Sequence, residues 1–328
     1  MKKIMYREAI SSALAEEMRR DDKVFVMGED VAIVGGVYKA TRGLLEEFGP
    51  KRVRNTPLSE VAIAGTALGA AMCGARPVAE IMHVDFIGVC FDIVLNEMSK
   101  MCYKTNGKVT VPMVLRTQQG RGKSNGCTQS QSLESLFTAL TGLKVVLPST
   151  PYDAKGLLKT AIRDNNPVIF IEHKGLYQTR GEIPEEEYTI PLGKADIKRC
   201  GKDVTIITYS KTVLTALEAA KQLEQKGIDA EILDLRSLVP LDFDAIAESV
   251  TKTGRVIIAH EACECSGFGA EIAAQIADKL FDELDAPILR VCGRNIPVPN
   301  ATVPELESAP TVEKLVAAAK RICEGGRH

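Results

Sequence analysis

Short apolar runs of strand length recur along the chain with helix-length amphipathic stretches between them, and this alternation restricts the fold more than any single residue does. In the first half the runs are Val24–Met27, Pro77–Met82, Pro112–Arg116, Leu143–Leu147 and Pro167–Glu172. Helical patterns fall at Ile4–Arg20, Leu44–Phe48, Phe86–Tyr103, Leu133–Leu140 and Pro151–Arg163. The second half repeats the rhythm, with strands Val204–Thr208, Ala230–Asp234, Arg255–Ala259 and Pro287–Val291. Its helices are Thr212–Lys226, Phe243–Thr253, Ala270–Leu280 and Thr311–Cys323. Strands apolar on both faces and joined by helices build mostly parallel, doubly wound sheets, so the expected class is α/β. A chain of 328 residues exceeds what one core usually serves. The rhythm breaks between about 173 and 202, where the acidic run Glu185–Glu187 lies. The expected division is therefore a first domain at 1–185, a linker at 186–202 and a second domain at 203–328.

Within the first domain, the stretch from Asn55 to Met72 stands apart. Pro57 biases Thr56 toward an extended backbone, and Ser59 is placed to cap a helix whose first turn carries Glu60. Beyond Glu60 the run is made almost wholly of Ala, Gly, Leu, Ile and Val and carries no charge. A helix apolar on every side is expected to be buried. Its glycines, Gly65, Gly69 and Gly74, cost about 1 kcal/mol each in a helix interior, which close approach of another backbone would offset. Glu60 is pulled two ways: the helix N-terminus favours its anion, and burial raises a carboxyl. A buried Glu60 could share a proton near neutral pH, whereas an exposed one merely complements the dipole, and spacing favours the second reading. Glu29 and Asp30 directly follow the first strand, where α/β folds place ligands, although a solvated turn is the commoner meaning.

Several function classes lose ground on composition. Forty-one basic against 43 acidic residues leave a net charge of −2, which is no electrostatic footprint for nucleic acid. No apolar run reaches membrane-spanning length, and the first residues enter a mixed-charge helical pattern with no sign of a signal or transit peptide, so a cytoplasmic setting is expected. The nine cysteines are scattered, with Cys73, Cys90, Cys102 and Cys292 read as small core residues. The pair Cys263 and Cys265 lacks the partners of a metal site. There is no G-x-G-x-x-G after the first strand and no P-loop. The turn at Gly267–Gly269 could meet an anion but is too short to be specific. The four histidines, His83, His173, His260 and His328, are dispersed, although His83 and His260 directly follow strands. The polar, Gly-rich stretch Thr117–Ser130 is a loop of the length usually reserved for function.

A resemblance joins these fragments. Gly28-Glu-Asp-Val31, Asn55-Thr-Pro-Leu-Ser-Glu60, the Ala-Gly-x-Ala-x-Gly-Ala-Ala run, Arg76-Pro77, and Phe86 with Asp92 downstream occur in order. So do Ser130-Gln-Ser-Leu-Glu134, Gly142-Leu-Lys-Val145, Pro148 to Leu157, Ala161 to Pro167, Asp234 to Asp242 and His260-Glu261. Together they resemble the beta subunit of the thiamin-diphosphate-dependent first component of 2-oxo acid and acetoin dehydrogenase complexes, over essentially the whole chain.

The resemblance implies a pyrimidine-binding domain followed by a transketolase-type C-terminal domain. Glu60 matches the glutamate that hydrogen-bonds N1′ of the cofactor's aminopyrimidine, where an acid can trade a proton with a ring nitrogen. Phe86 matches the aromatic that stacks on that ring, Leu58 and Met82 match residues lining its pocket, and Glu29 matches an acid assisting proton movement. Met113, Ala161, Ile162, Asp164 and Asn166 resemble a potassium-binding loop built largely of main-chain oxygens, for which a well-capped structural turn is the competing reading. The diphosphate and magnesium half of the pattern, Gly-Asp-Gly followed by Asn-Asn, is represented here only by Asn165-Asn166. The resemblance therefore implies that magnesium and diphosphate are held by a separate alpha subunit in an alpha-two-beta-two assembly, which passes an acyl group to a lipoyl-bearing acyltransferase core. Many relatives carry His where this chain has Gln129, and an amide can orient but cannot titrate; His83 or His260 could take over a proton-transfer role. The branch leans toward acetoin over pyruvate. The alternatives are a subunit of another split transketolase-like thiamin enzyme and a non-catalytic scaffold subunit.

Overall fold

The computed structural model describes residues 1–324 and divides the chain into two compact units. One comprises Met1–Gln119 with Leu136–Leu192; the other comprises Gly120–Ser135 with Gly193 onward. His328 and the end of the 203–328 segment lie outside the described residues.

The first unit is built on parallel strands in the order Val53–Asn55, Val24–Gly28, Arg76–Ile81, Val114–Gln119, Val168–His173 and Lys144–Val146. Helices Tyr6–Arg20 and Pro151–Arg163 pack together over it. Tyr6, Ile10 and Leu14 of one and Leu157 and Leu158 of the other meet Val26, Val78 and Phe170 of the sheet. The second helix starts where local chemistry dictates. Pro151 occupies its first turn and the Thr150 hydroxyl accepts from the Asp153 amide at 3.1 Å.

In the second unit, parallel strands Leu289–Gly293, Val256–Cys263, Val204–Thr208 and Ala230–Asp234 are followed by antiparallel Asp196–Arg199. Helices Thr212–Glu224 and Val312–Glu324 bury Val213, Ala216, Leu315 and Ala319 against Val204, Ile206 and Ile257. Two α/β bodies with mostly parallel sheets are thus present, as the alternation of runs requires.

Three expectations change in detail. The pattern read as one helix from Ile4 begins at Tyr6, because Lys2–Met5 pairs antiparallel with Arg180–Ile183. The stretch read as a single helix over Phe86–Tyr103 is a 3-10 segment at Val84–Cys90, a wide π turn at Ile93–Met98 and a short turn at Met101–Lys104. Gly88 and several β-branched residues weaken the regular helix. The amide of Ser99 reaches back five residues to the Val94 carbonyl at 3.2 Å, while its hydroxyl takes that of Leu95 at 2.7 Å. Finally, helix Glu60–Met72 is not buried all round: Ile63, Ala64, Ala67, Leu68 and Ala71 face the core, whereas Val61, Ala62, Thr66, Gly69 and Met72 are exposed. Among the cysteines read as core, Cys90 is buried, Cys102 and Cys292 are half-buried and Cys73 is exposed.

Candidate active site

Glu29, Met82 and Phe86 gather past the carboxyl ends of the first unit's central strands. Glu29 directly follows strand Val24–Gly28, and Met82 follows strand Arg76–Ile81. The turn at Gly28 needs glycine, since a Cβ there would lie 2.7 Å from the Glu80 carbonyl oxygen and φ is +153°. The Gly28 carbonyl accepts from the Thr56 amide at 3.0 Å, and Asn55 Oδ1 accepts from the Ala32 amide at 2.7 Å. These bonds tie the Gly-Glu-Asp turn to the Asn-Thr-Pro-Leu-Ser-Glu segment. Ser59 caps the helix, its hydroxyl accepting from the Ala62 amide at 3.4 Å, and Glu60 opens it.

Glu60 is half-buried, and its carboxyl has no hydrogen-bond partner among the described residues. Its charge is felt close by. Glu29, also half-buried, is raised above the usual carboxylate range by burial and then by the charges of Glu60 and Asp30. Burial and the same Glu60 charge lift the Cys90 thiol to about 11. Two acids this close oppose each other's ionisation, the direction in which Glu29 is moved. Phe86 presents its edge to His83, with ring centroids 5.2 Å apart at 87°. Met82 is half-buried, and Leu58 is 85 % exposed.

Behind this corner lies a buried charge network that sequence patterning did not single out. Arg116, fully buried, donates through Nε and Nη2 to Glu172 at 2.7 and 2.9 Å and through Nη1 to Glu80 at 2.6 Å. Tyr177 donates to Glu172 at 2.5 Å and stacks on Tyr38, with centroids 4.7 Å apart. Tyr38 in turn meets His83 edge-on at 6.4 Å. Burial alone would lower the guanidinium, but the charges of Glu172 and Glu80 outweigh it and hold Arg116 protonated. The available signal was a charged residue near the end of each of three near-continuous apolar strands.

The remaining assigned residues lie elsewhere. Gln129, half-buried, is in the segment Gly120–Ser135 that belongs to the second unit. That segment is fastened there by Arg121, whose amide donates to Glu261 Oε2 at 3.1 Å and whose side chain donates to the Glu261 carbonyl. Further along it, the Ser124 amide donates to Glu305 Oε2 at 2.9 Å. His260 is fully buried in the same unit. Its Nε2 accepts from the Gly269 amide at 3.1 Å, its ring stacks on Tyr209 at 5.8 Å, and burial pulls it down to about 4. One ring nitrogen and one ring face of His260 are thus engaged within its own unit.

Met113, Ala161, Ile162, Asp164 and Asn166 sit at the amino ends of strands Val114–Gln119 and Val168–His173, the opposite edge from Glu29 and Met82. The carbonyls of Ile162 and Asp164 both accept from Nη1 of Arg76 at 3.0 Å, and Asn165 Oδ1 accepts from Nη2 at 2.5 Å. The Met113 carbonyl accepts from the Val168 amide at 3.0 Å, and that of Ala161 from the Asp164 amide at 3.3 Å. The Asp164 carboxylate is engaged by Lys144 and by the Asn166 amide. Burial would raise it, but the bonds from Lys144 and Asn166 hold it below the usual range. The carbonyls of Ile162 and Asp164 are thus shared with the Arg76 guanidinium, and the Asp164 carboxylate with Lys144. Among the described residues no cluster of three or more His, Cys, Asp or Glu is arranged to hold a metal ion, and no helix is long and apolar enough to cross a membrane.

Comparison with known proteins follows this geometry. Residues 2–180 match the transketolase pyrimidine-binding domain and residues 193–315 the transketolase C-terminal domain. The chain is 50 % identical over 326 residues to the beta subunit of acetoin:2,6-dichlorophenolindophenol oxidoreductase from Bacillus subtilis, covering 96 % of this chain and 95 % of that one. It is 46 % identical to the 2-oxoisovalerate dehydrogenase beta subunit of the same organism, over 99 % of this chain and 100 % of the relative. The pyruvate dehydrogenase E1 component subunit beta of Bacillus subtilis is also 46 % identical, over 97 % of this chain and 98 % of the relative. In three dimensions the chain matches a split-gene transketolase, described as an inactive beta4 tetramer, with TM-score 0.82 and 24 % identity over 99 % of this chain and 100 % of that chain. With a pyrimidine-binding domain ahead of a C-terminal domain and full-length likeness to dehydrogenase beta subunits, this chain belongs to the transketolase family.

Proposed function

We propose that this chain is the beta subunit of a thiamin-diphosphate-dependent dehydrogenase that cleaves acetoin or decarboxylates a 2-oxo acid such as pyruvate and passes the acyl group to a lipoyl carrier. The observation that carries the reading is Glu60: a half-buried acid at a helix start, with no hydrogen-bond partner among the described residues and a second acid, Glu29, near enough to feel its charge. The donor set fits an aminopyrimidine. Glu60 would hold or move the proton at the ring's N1′, Phe86 would stack on the ring, Met82 and Leu58 would line its edge, and Glu29 would relay protons. Thiamin diphosphate, when bound, supplies a nucleophilic carbon and an electron sink; the chain's own residues hold the ring and manage its protons.

The other half of the cofactor needs other ligands. No Gly-Asp-Gly occurs in the sequence, so magnesium and diphosphate are assigned to an alpha subunit in an alpha-two-beta-two assembly in the cytoplasm, with the lipoyl-bearing acyltransferase core as acyl acceptor. The exposed small-residue side of helix Glu60–Met72 supports a partner there. Gln129 is assigned an orienting role in acyl transfer. A potassium ion at Met113, Ala161, Ile162, Asp164 and Asn166 would have to share carbonyls with Arg76, so it is proposed as a minor ligand, and no step depends on it.

The experiment is turnover of the assembled enzyme. Glu60→Gln keeps the shape and removes the titrating group, and the expected outcome is loss of at least about a hundredfold in kcat, in the range typical of a removed general acid–base. Wild-type turnover in that variant sinks the proposal. In the same assay Gln129→Ala is expected to slow acyl transfer equally at every pH; a change in the pH profile would show that the amide's neighbourhood titrates.

A further inference from the structure

Beside the acids at the strand ends, the chain leaves buried polar atoms unbonded. Gln118 is 1 % exposed, and neither its Nε2 nor its Oε1 has a hydrogen-bond partner; among the described residues it is the one side chain with two such atoms. Nδ1 of His83, a residue 5 % exposed, is in the same condition. Buried polar atoms are nearly always paired, and an amide open at both ends is an invitation to a ligand that both donates and accepts. The register locates it. Ile81 pairs with Thr117 in the parallel ladder, so the next step brings Gln118 alongside Met82. His83 follows Met82 in the chain and meets Phe86 edge-on at 5.2 Å. The two unbonded side chains therefore flank the two residues assigned to the cofactor ring.

The charges around them decide what kind of ligand is welcome. Arg116 is spent on Glu80 and Glu172, and Lys174 and Asp85 act on His83 with opposite sign. Glu29 and Glu60 stand at the same ends of the sheet. Two cations face five carboxyls, and even with Glu29 and Glu172 protonated the carboxylates outnumber them. Beside this patch a substrate carboxylate would meet a surplus of carboxylates, with Arg116 already paired, whereas a hydroxyl or ketone oxygen would find an uncharged amide and imidazole.

We propose that Gln118 and His83 form the substrate-recognition patch beside the cofactor ring, and that it selects an uncharged small hydroxyketone over a 2-oxo acid. The Gln118 amide accepts from the substrate hydroxyl and donates to an oxygen of the same molecule, and His83 closes the second side. This rests on the thiamin reading of Glu60, and the test separates the two. The chain is reconstituted with its alpha partner, thiamin diphosphate binding is measured by calorimetry, and kcat/KM is then compared for acetoin and pyruvate. Wild type is expected to favour acetoin. Gln118→Met and His83→Phe are each expected to lose about tenfold on acetoin, as one hydrogen bond to a neutral group predicts, with pyruvate changed less than about threefold. Gln118→Lys, which places a cation in the patch, is expected to move the ratio about tenfold toward pyruvate. A wild-type preference for pyruvate overturns the proposal. So does an equal loss on both substrates in variants that still bind the cofactor and melt as wild type does. No cofactor binding by the reconstituted wild type overturns the thiamin reading itself, and this inference with it.

Discussion

At the scale of single residues, the first unit's most demanding group is Arg116. Its three donors are matched to two carboxylates in a region closed to water. Such a network adds little over apolar packing while it is complete, but removing one member strands the others. Arg116→Met is expected to cost about 3–5 kcal/mol, because Glu80 and Glu172 would be left side by side without a counter-charge, and urea unfolding followed by circular dichroism measures it. The histidines add a pH signature. Burial, helped by the charge of Lys174 and opposed by that of Asp85, brings His83 to about 4, and burial brings His260 to about 4. An unfolded histidine titrates near 6.5, so between those values the unfolded chain binds the extra protons and folded stability falls as pH drops. Each histidine contributes a slope of about 1.4 kcal/mol per pH unit inside the window. Unfolding midpoints from pH 7 to pH 4.5 should fall, and less steeply for His83→Phe; equal slopes would show that His83 is charged in the folded protein.

At the scale of elements, what the sequence made legible followed local rules. Helix Pro151–Arg163, helix Phe243–Thr253 and strands Val204–Thr208 and Ala230–Asp234 occur with the expected bounds, because caps and apolar runs act over a few residues. Over Phe86–Tyr103 the structure departs from a regular helix because apolar spacing does not distinguish an α turn from a π turn, which depends on where Ser99 finds its acceptor. Arg116 with Glu80 and Glu172 was illegible for a related reason: three charges from three separate strands become one network only after the strands take their order. Likewise Glu60 could be placed on its helix from Ser59, but its proximity to Glu29 depends on the turn at Gly28. Helix Glu60–Met72 carries a prediction of its own. A Cβ on Gly69 would meet nothing within 4 Å in this chain, so Gly69→Ala should stabilise the isolated chain by about 1 kcal/mol through helix propensity. If the exposed side seats a partner backbone, Gly69→Leu should leave the isolated chain's melting temperature near wild type yet weaken assembly, read by analytical ultracentrifugation. Unchanged assembly would remove this helix from the interface.

For the whole molecule, the question is how much of a cofactor site one chain holds. Here there are the residues proposed for the ring side, Glu60, Phe86 and Met82, and no cluster of three or more His, Cys, Asp or Glu arranged to hold a metal ion among the described residues. A ligand that binds only the folded state stabilises it by about 2.7 kcal/mol at a hundred times its dissociation constant. For units of this size that corresponds to roughly 5–10 °C in melting temperature. If the diphosphate and its magnesium are held by an alpha partner, the isolated chain meets only the aminopyrimidine, and millimolar thiamin diphosphate with magnesium should leave its melting temperature unchanged. The reconstituted pair should rise by several degrees, and Glu60→Gln in the pair should lose part of that rise, since the proposed bond to N1′ would be among those that tie the ring. Differential scanning calorimetry on the isolated chain, the pair and the variant pair checks all three. A full shift in the isolated chain would mean that its own residues hold the diphosphate, and the division of the site between two subunits would be wrong.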